Sequence, residues 1–163
     1  MEGRPVRESR SEIAEFALPV HANPLGHMLG GHIMHLVDLA AATAAIRHAR
    51  CNVVTASVDS MSFLHSIRIG QLITLKASVN RVFRTSMEVG VKVLVEDLQT
   101  GVVHHTHSSY LTFVALGEDG RPMEVCQVIP ETEAEKRRWR EAEARREARL
   151  ALKRKALERE AQG

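Results

Sequence analysis

The pattern of apolar and polar positions divides the chain into two unequal parts that meet at Ile129–Pro130. Before this boundary, apolar runs and alternating patterns dominate. After it, the residues are mostly Ala, Glu, Arg and Lys, with few large apolar side chains. We therefore expect one globular domain over residues 12–129, followed by a charged helical extension over residues 130–163.

A helix is predicted from Gly30 to about Arg50. Its apolar residues occupy nearly the whole circumference and are separated by a run of alanines, the best helix formers. A helix that is apolar all round is usually buried. A short leading strand within Ile13–Val20 and a loop rich in turn formers, His21–Leu29, precede it.

Four further segments have the character of strands, and they cover residues 52–64, 71–82, 87–98 and 102–116. In the third, Val89, Val91 and Val93 alternate with other residues at the period of a strand with one buried face. The connections are short, which implies antiparallel pairing. The sequence thus predicts an α+β fold: a single hotdog domain, in which a curved antiparallel sheet wraps around one long buried helix, with a C-terminal helical extension.

The extension, Glu131 to Gln162, is a second predicted helix without internal proline or glycine. It holds 11 Lys and Arg against 8 Glu, so the basic excess of the chain, a formal net charge of +2, lies entirely there. Charges mixed in this way are typical of a solvated, ion-paired helix rather than of a nucleic-acid-binding segment. We expect no nucleic acid as a partner.

Composition is that of a globular protein without a disulfide framework or a membrane span. A chain of 163 residues with 44% hydrophobic and 26% charged residues is that of an ordinary globular domain. Cys51 and Cys126 match no disulfide framework or metal spacing, which fits a reducing compartment. The polar start of the chain resembles no signal peptide, and no apolar stretch reaches the roughly 20 residues of a membrane span. We expect a cytoplasmic protein that does not bind membranes.

Asp38 is the residue that points most directly to chemistry. It lies in the middle of the apolar helix between Val37 and Leu39. A buried, unpaired carboxylate costs several kcal/mol, so Asp38 is expected to be paired, protonated or functional. The alternative is a wetter helix face, formed by Asp38 with His32 and His35, that faces solvent.

Two other segments indicate a binding site less specifically. The glycines Gly30 and Gly31 at the helix start leave first-turn amides available to a developing oxyanion, although they could simply shape the loop. The turn Arg84-Thr85-Ser86 offers a guanidinium and two hydroxyls that suit phosphate oxygens, although it could equally be ordinary turn chemistry.

A metal site is an alternative that the residue spacing does not favour. It would combine His32, His35 and Asp38 of the helix with the histidines of one strand, His104, His105 and His107. The helical spacing spreads its three side chains over roughly 120° of the helix surface. We therefore expect no metal and no cofactor. A serine or cysteine nucleophile is not supported either, because no Gly-x-Ser-x-Gly motif is present.

The ordered set of motifs resembles the hotdog acyl-CoA thioesterases, in particular the brain-type cytosolic acyl-CoA hydrolases. The set begins with Asn23-x-x-Gly26-x-x-x-Gly30-Gly31-x-x-Met34-x-x-x-Asp38. It continues with Val53-Val54-Thr55-Ala56-Ser57-Val58-Asp59, Arg84-Thr85-Ser86-Met87 and Phe113-Val114-Ala115-Leu116, and ends in the tail from Val128 to Lys136. Each element alone is common, but their order over nearly the whole chain is specific.

The resemblance implies roles for individual residues. Asp38 would be the general base or nucleophile that hydrolyses a fatty acyl-CoA thioester. Asn23 would work opposite it from the other protomer of a dimer. The Gly30 and Gly31 amides would hold the thioester oxygen. CoA would be contacted by Arg84, Thr85 and Ser86.

The resemblance also implies partners and an assembly. Acyl-CoA and CoA are the expected ligands, with CoA a part of the substrate. A dimer is the expected minimal unit, and a hexamer, as a trimer of dimers, is the expected assembly. Apart from the resemblance, we expect the tail helix to pack between protomers with Trp139 as its anchor. Open sheet edges favour such association.

Three alternative functions stay open at this point. A hotdog domain could bind acyl-CoA as a sensor without hydrolysing it, although a sensor needs neither Asn23 nor Asp38. A hotdog dehydratase would use a loop histidine, a position that His27 could fill. A metal-dependent hydrolase is the third alternative, and loss of activity on chelation would favour it.

Overall fold

The computed structural model describes all 163 residues, and it confirms the predicted α+β architecture. The helices are α1 (Gly30–Ala49) and α2 (Glu133–Gln162). The strands are β1 (Arg4–Pro5), β2 (Ser11–Phe16), β3 (Asn52–Val58), β4 (Leu72–Val82), β5 (Ser86–Asp97), β6 (Val102–Leu116) and β7 (Val128–Ile129). The main sheet has the order β2-β4-β5-β6-β3, and every neighbouring pair is antiparallel.

The helix α1 packs against the inner face of this sheet. Its alanines Ala40, Ala41, Ala44 and Ala45 are fully buried, and the small side chains let the helix lie close to the strands. Ala41 and Ala45 therefore belong to the core. The helix ends at Arg50, which adopts a left-handed conformation with φ of 59°.

One face of α1 stays uncovered in the single chain, contrary to the prediction of a helix buried all round. Met34, Leu39 and Ile46 are 44–48% exposed. The reason is geometric, since a sheet that packs on one side of a helix covers only that side. The edge strand β3 is also apolar and exposed, with Val54 and Val58 near 45%. The chain thus exposes an apolar helix face next to an open strand edge. Both features favour association with another protomer.

Two strands are shorter than predicted. The segment expected as a strand over 52–64 pairs only as far as Val58, and its register shifts between Thr55 and Ser57. The leading strand ends at Phe16, because Pro19 begins a short 3₁₀ turn that turns the chain towards the loop.

The fold also extends beyond the expected 12–129 domain. At the N-terminus, β1 pairs in parallel with β7, and Val6 is buried in the core. At the C-terminus, α2 begins with a capping box in which Thr132 accepts a hydrogen bond from the Glu135 amide.

The helix α2 packs along the outer face of the sheet through a buried ion-pair network. Glu88 of β5 is fully buried and accepts hydrogen bonds from Arg145 (2.7 Å) and Arg149 (3.0 Å) of α2. Arg149 also bonds Asp59. Trp139 is partly buried against the core of its own chain, and the Arg81 guanidinium lies 3.8 Å from its ring centroid. Neither helix carries an apolar stretch that could cross a membrane.

Candidate functional site

Asp38 lies on α1 where the helix faces the edge strand β3. Its side chain is half-buried, and Oδ1 accepts a hydrogen bond of 2.8 Å from the Thr55 hydroxyl. Thr55 stands at the point where the register of β3 shifts. No Lys, Arg or His forms an ion pair with Asp38, in contrast to Asp59 and Glu88. The carboxylate is therefore oriented by a neutral donor and keeps its second oxygen available.

At the start of α1, the amides of Gly30 and Gly31 have no hydrogen-bond partner, whereas the next two amides do. The amides of His32 and Ile33 both donate to the Leu29 carbonyl, and no side chain caps the helix start. Gly30 and Gly31 precede them, and no helical carbonyl lies in reach of their N–H groups. A side chain at Gly30 would stand 3.2 Å from the Phe63 ring, whereas Gly31 is open to its surroundings. Two N–H groups and the positive end of a helix dipole are thus available at the start of α1, next to Phe63.

The loop before α1 is organised by Asn23. Its Oδ1 accepts hydrogen bonds from the amides of Leu25 (3.0 Å) and His27 (3.1 Å). The Asn23 backbone amide donates to the His27 carbonyl at 2.7 Å, so the turn is fixed at both ends. The side-chain Nδ2 makes no hydrogen bond within the chain and can donate to a ligand. Asn23 and Asp38 do not contact each other in one chain.

The turn with Arg84, Thr85 and Ser86 lies at the opposite end of α1 from Gly30. Val125 donates its amide to the Arg84 carbonyl, and the neighbouring Cys126 carbonyl bonds His48, next to the C-terminus of α1. A helix of 20 residues is about 30 Å long. Arg84 is 78% exposed and makes only a 3.7 Å ion pair with Glu124. A single chain therefore does not bring this turn to the α1 N-terminus.

The metal constellation that the sequence offered as an alternative does not form. His32 turns to Glu15 of β2, with 2.8 Å between His32 Nε2 and Glu15 Oε1, and His35 is exposed. On β6, His105 bonds the Ser108 hydroxyl instead. Burial, and next the nearby His105, lower the pKa of His107, whose ring stands edge-on to Phe63.

Sequence reasoning missed Thr55 and Phe63 as neighbours of the site. Thr55 stands in a quoted motif and Phe63 in the strand predicted over residues 52–64, but the strand pattern assigns neither a role. Thr55 reaches Asp38 only because β3 follows α1 and folds back along it. Phe63 reaches Gly30 only because the segment after β3 leaves the sheet.

Comparison with known proteins decides the family. The chain is 40% identical over 134 residues to an uncharacterized acyl-CoA thioester hydrolase, YkhA, of Bacillus subtilis, covering 82% of this chain and 78% of YkhA. The family model described as "Thioesterase superfamily" matches residues 25–102. The chain belongs to the hotdog acyl-CoA thioesterases.

A cytosolic acyl coenzyme A thioester hydrolase of Mus musculus is 36% identical to this thioesterase over 144 residues. The match covers 86% of this chain but only 37% of the mouse protein, which is thus much longer than the matched region.

Solved structures of acyl-CoA hydrolases share the whole fold of this thioesterase. An acyl-CoA hydrolase from Bacillus cereus superposes with a TM-score of 0.92 at 37% identity, covering 96% of both chains. A hexameric acyl-CoA thioesterase gives 0.90 at 41% identity, covering 93% of this chain and 97% of the other. An acyl-CoA hydrolase from Staphylococcus aureus, solved with butyryl-CoA, CoA and CoA disulfide, gives 0.88 at 35% identity, covering 97% and 98%.

Proposed function

We propose that this thioesterase hydrolyses fatty acyl-CoA to the free fatty acid and CoA. Asp38 acts as general base on water or as nucleophile on the thioester carbonyl. Asn23 Nδ2 and the amides of Gly30 and Gly31 polarise the carbonyl and bind the developing oxyanion. The observation that carries the proposal is the Asp38 carboxylate, which is half-buried, free of cations and oriented by Thr55 on the same helix that begins with the two free amides.

The distance along α1 requires two protomers for one site. Asp38 lies eight residues after Gly30, which is about 12 Å along the helix. One carbonyl group cannot touch both in the same chain. Met34 is midway between them on the same helix face and is 46% exposed. A two-fold axis near Met34 would pair two antiparallel α1 helices and bring Asp38 opposite the partner's Gly30.

The same axis accounts for the surfaces that a single chain leaves uncovered. It would bury the exposed Leu39 on α1 together with the open edge of β3. It would also bring the Arg84 turn, at the C-terminal end of one α1, towards the N-terminal end of the partner's α1. We propose that Arg84, Thr85 and Ser86 there contact the phosphate-bearing part of CoA.

Substitutions made in the Staphylococcus aureus enzyme support the choice of residues. Its alanine variants replace an asparagine, an aspartate 15 positions further on and a threonine 17 positions beyond that. Asn23, Asp38 and Thr55 have the same order and the same spacing in this chain.

Assembly and location complete the proposal. We propose a dimer as the catalytic unit and a trimer of dimers as the complete assembly, which the hexameric relative supports. A cytoplasmic location is supported by the mouse relative, whose name describes it as cytosolic. Light scattering coupled to size-exclusion chromatography measures the assembly directly, and a monodisperse monomer would contradict it.

The experiment that tests the function is thiol release from acyl-CoAs of two to sixteen carbons, roughly the span from acetyl to palmitoyl. The wild-type protein is compared with Asp38→Asn, and Asp119→Asn in an exposed turn is the matched control. We expect release by the wild-type and control proteins and none above background by Asp38→Asn. Binding of CoA without release of any chain would indicate an acyl-CoA sensor instead.

A further inference from the structure

Three potential metal ligands converge next to the start of α1, away from Asp38. They are Glu15 of β2, His21 of the 3₁₀ turn Pro19–His21 and His32 of the first turn of α1. One ligand atom from each lies within 4.8 Å of the other two. Glu15 Oε1 is 2.8 Å from His32 Nε2 and 3.7 Å from His21 Nδ1. The two imidazole rings are stacked, with centroids 3.6 Å apart.

We propose that Glu15, His21 and His32 bind one divalent transition-metal ion, with Zn²⁺ as the best match. Two imidazole nitrogens and one carboxylate oxygen form a donor set used by three-ligand zinc sites, which leave a fourth position to water. Bonds of about 2.1 Å in tetrahedral geometry set donor atoms about 3.4 Å apart. The distances of 2.8 and 3.7 Å from Glu15 Oε1 bracket this value. The two imidazole rings would also have to rotate out of their stacked arrangement, so that both in-plane nitrogen lone pairs point at one ion.

Hydrogen bonding alone leaves this cluster incomplete. His21 Nδ1 is buried and has no hydrogen-bond partner. An unsatisfied buried nitrogen of this kind is destabilising. The Glu15 carboxylate has no Lys or Arg partner, and its only close basic neighbours are the two imidazoles. A metal ion would satisfy His21 Nδ1 and balance the Glu15 charge at the same time.

The chemistry of the donors selects the class of ion. Imidazole nitrogen favours Zn²⁺, Ni²⁺ or Cu²⁺ over Mg²⁺ and Ca²⁺, which prefer an all-oxygen shell. The side chains of His21 and His32 are each 19% exposed and that of Glu15 is 31% exposed, so an ion can enter from solvent.

A bound ion would connect three elements that are distant in sequence. It would tie β2 to the turn before Asn23 and to the first turn of α1, and the His21 carbonyl already accepts a hydrogen bond from the Leu29 amide. We expect the ion to hold the loop of Asn23 against the helix start and to raise the unfolding temperature. Because the test reads metal binding directly, its result does not depend on thioester hydrolysis.

The test uses the full chain, freed of metal with a chelator and titrated with Zn²⁺ in a calorimeter. Co²⁺ is then added in place of Zn²⁺, and the visible absorption of a four-coordinate ion is recorded. We expect one ion per chain, and at least tenfold weaker binding in each of Glu15→Gln, His21→Ala and His32→Ala. His104→Ala and His105→Ala, on the exposed part of β6, are matched controls that should bind as the wild type does.

Each other outcome overturns the proposal. It is wrong if the wild-type chain binds no Zn²⁺, or if the three variants bind as tightly as the wild type does. Binding that falls equally in the His104 and His105 variants would indicate a scattered surface site. A circular dichroism spectrum and an unfolding curve of each variant without metal show that it is folded, and Glu15→Gln, which keeps the side-chain shape, serves as the comparison if either histidine variant does not fold.

Discussion

Thr55 donates its hydroxyl to Asp38 Oδ1 across 2.8 Å, and this contact joins the edge strand β3 to the middle of α1. The donor carries no charge, so it fixes the direction of the carboxylate without neutralising it. Catalysis by positioned groups depends on such orientation, because a small misplacement of a reacting atom costs a large factor in rate. Thr55 is therefore a positioning residue in the proposed site.

We expect Thr55→Val to lower kcat about 10- to 100-fold, since a hydrogen bond to a charged group contributes about 1.5–3 kcal/mol. Valine keeps the branched shape and β propensity of threonine, so the strand is preserved. Thr55→Ser retains the hydroxyl and should recover most of the activity. The measurement is thiol release at saturating acyl-CoA, together with KM. Equal kcat for the valine and wild-type proteins would remove Thr55 from the mechanism.

A site shared between protomers predicts complementation between two inactive variants. Asp38→Asn and Asn23→Ala are each expected to be inactive as pure proteins. When they are unfolded together and refolded as a mixture, half of the dimers contain one of each and restore one intact site. The mixture should then reach about one quarter of wild-type activity. Activity no higher than that of the separate variants would place both residues in the same protomer's site.

The buried pairing of Glu88 with α2 predicts a large loss of stability in Glu88→Gln. Burial alone would lower the pKa of Arg145, but the hydrogen bond and charge of Glu88 raise it above its usual value. Without the Glu88 charge, Arg145 and Arg149 stay close together and largely buried. Breaking a buried pair in this way costs about 3–5 kcal/mol. Urea unfolding measures the loss, and Glu133→Gln, an exposed partner of Lys136 on the same helix, should leave the midpoint unchanged.

His48 predicts how stability depends on pH. Its Nε2 donates a hydrogen bond to the Cys126 carbonyl (2.9 Å), and burial lowers its pKa below the usual 6.5. As pH falls below about 6.5, the unfolded chain binds a proton that the folded chain does not. The free energy of unfolding is therefore highest above pH 6.5 and falls on acidification. For one proton the slope is at most about 1.4 kcal/mol per pH unit.

His48→Gln keeps an N–H donor for the Cys126 carbonyl and removes the titration. We expect the loss of stability between pH 7 and pH 5, roughly the window below the usual histidine pKa, to become smaller in this variant. His104→Gln, at an exposed position of β6, is the control and should follow the wild-type curve. Urea midpoints at several pH values give the comparison. Parallel curves for His48→Gln and the wild type would contradict the assignment.

The sequence by itself determined the elements and the candidate residues. The alanine run and its apolar neighbours specified α1 to within one residue, because helix propensity and periodicity act locally. The order of motifs drew attention to Asn23, Asp38 and the glycine pair at the helix start. The charges of the tail predicted α2 and its ion pairs, although not their partners.

Only the tertiary structure decided which of these residues meet. The Asp38–Thr55 contact depends on the pairing of β3 with β6 and on a shift of register, which no local pattern encodes. The Glu88 network and the cluster of Glu15, His21 and His32 join residues from separate elements. The Arg84 turn lies at the far end of α1 for the same reason: propensity acts between near neighbours in sequence, whereas contacts between elements follow from how the whole chain buries its apolar surface.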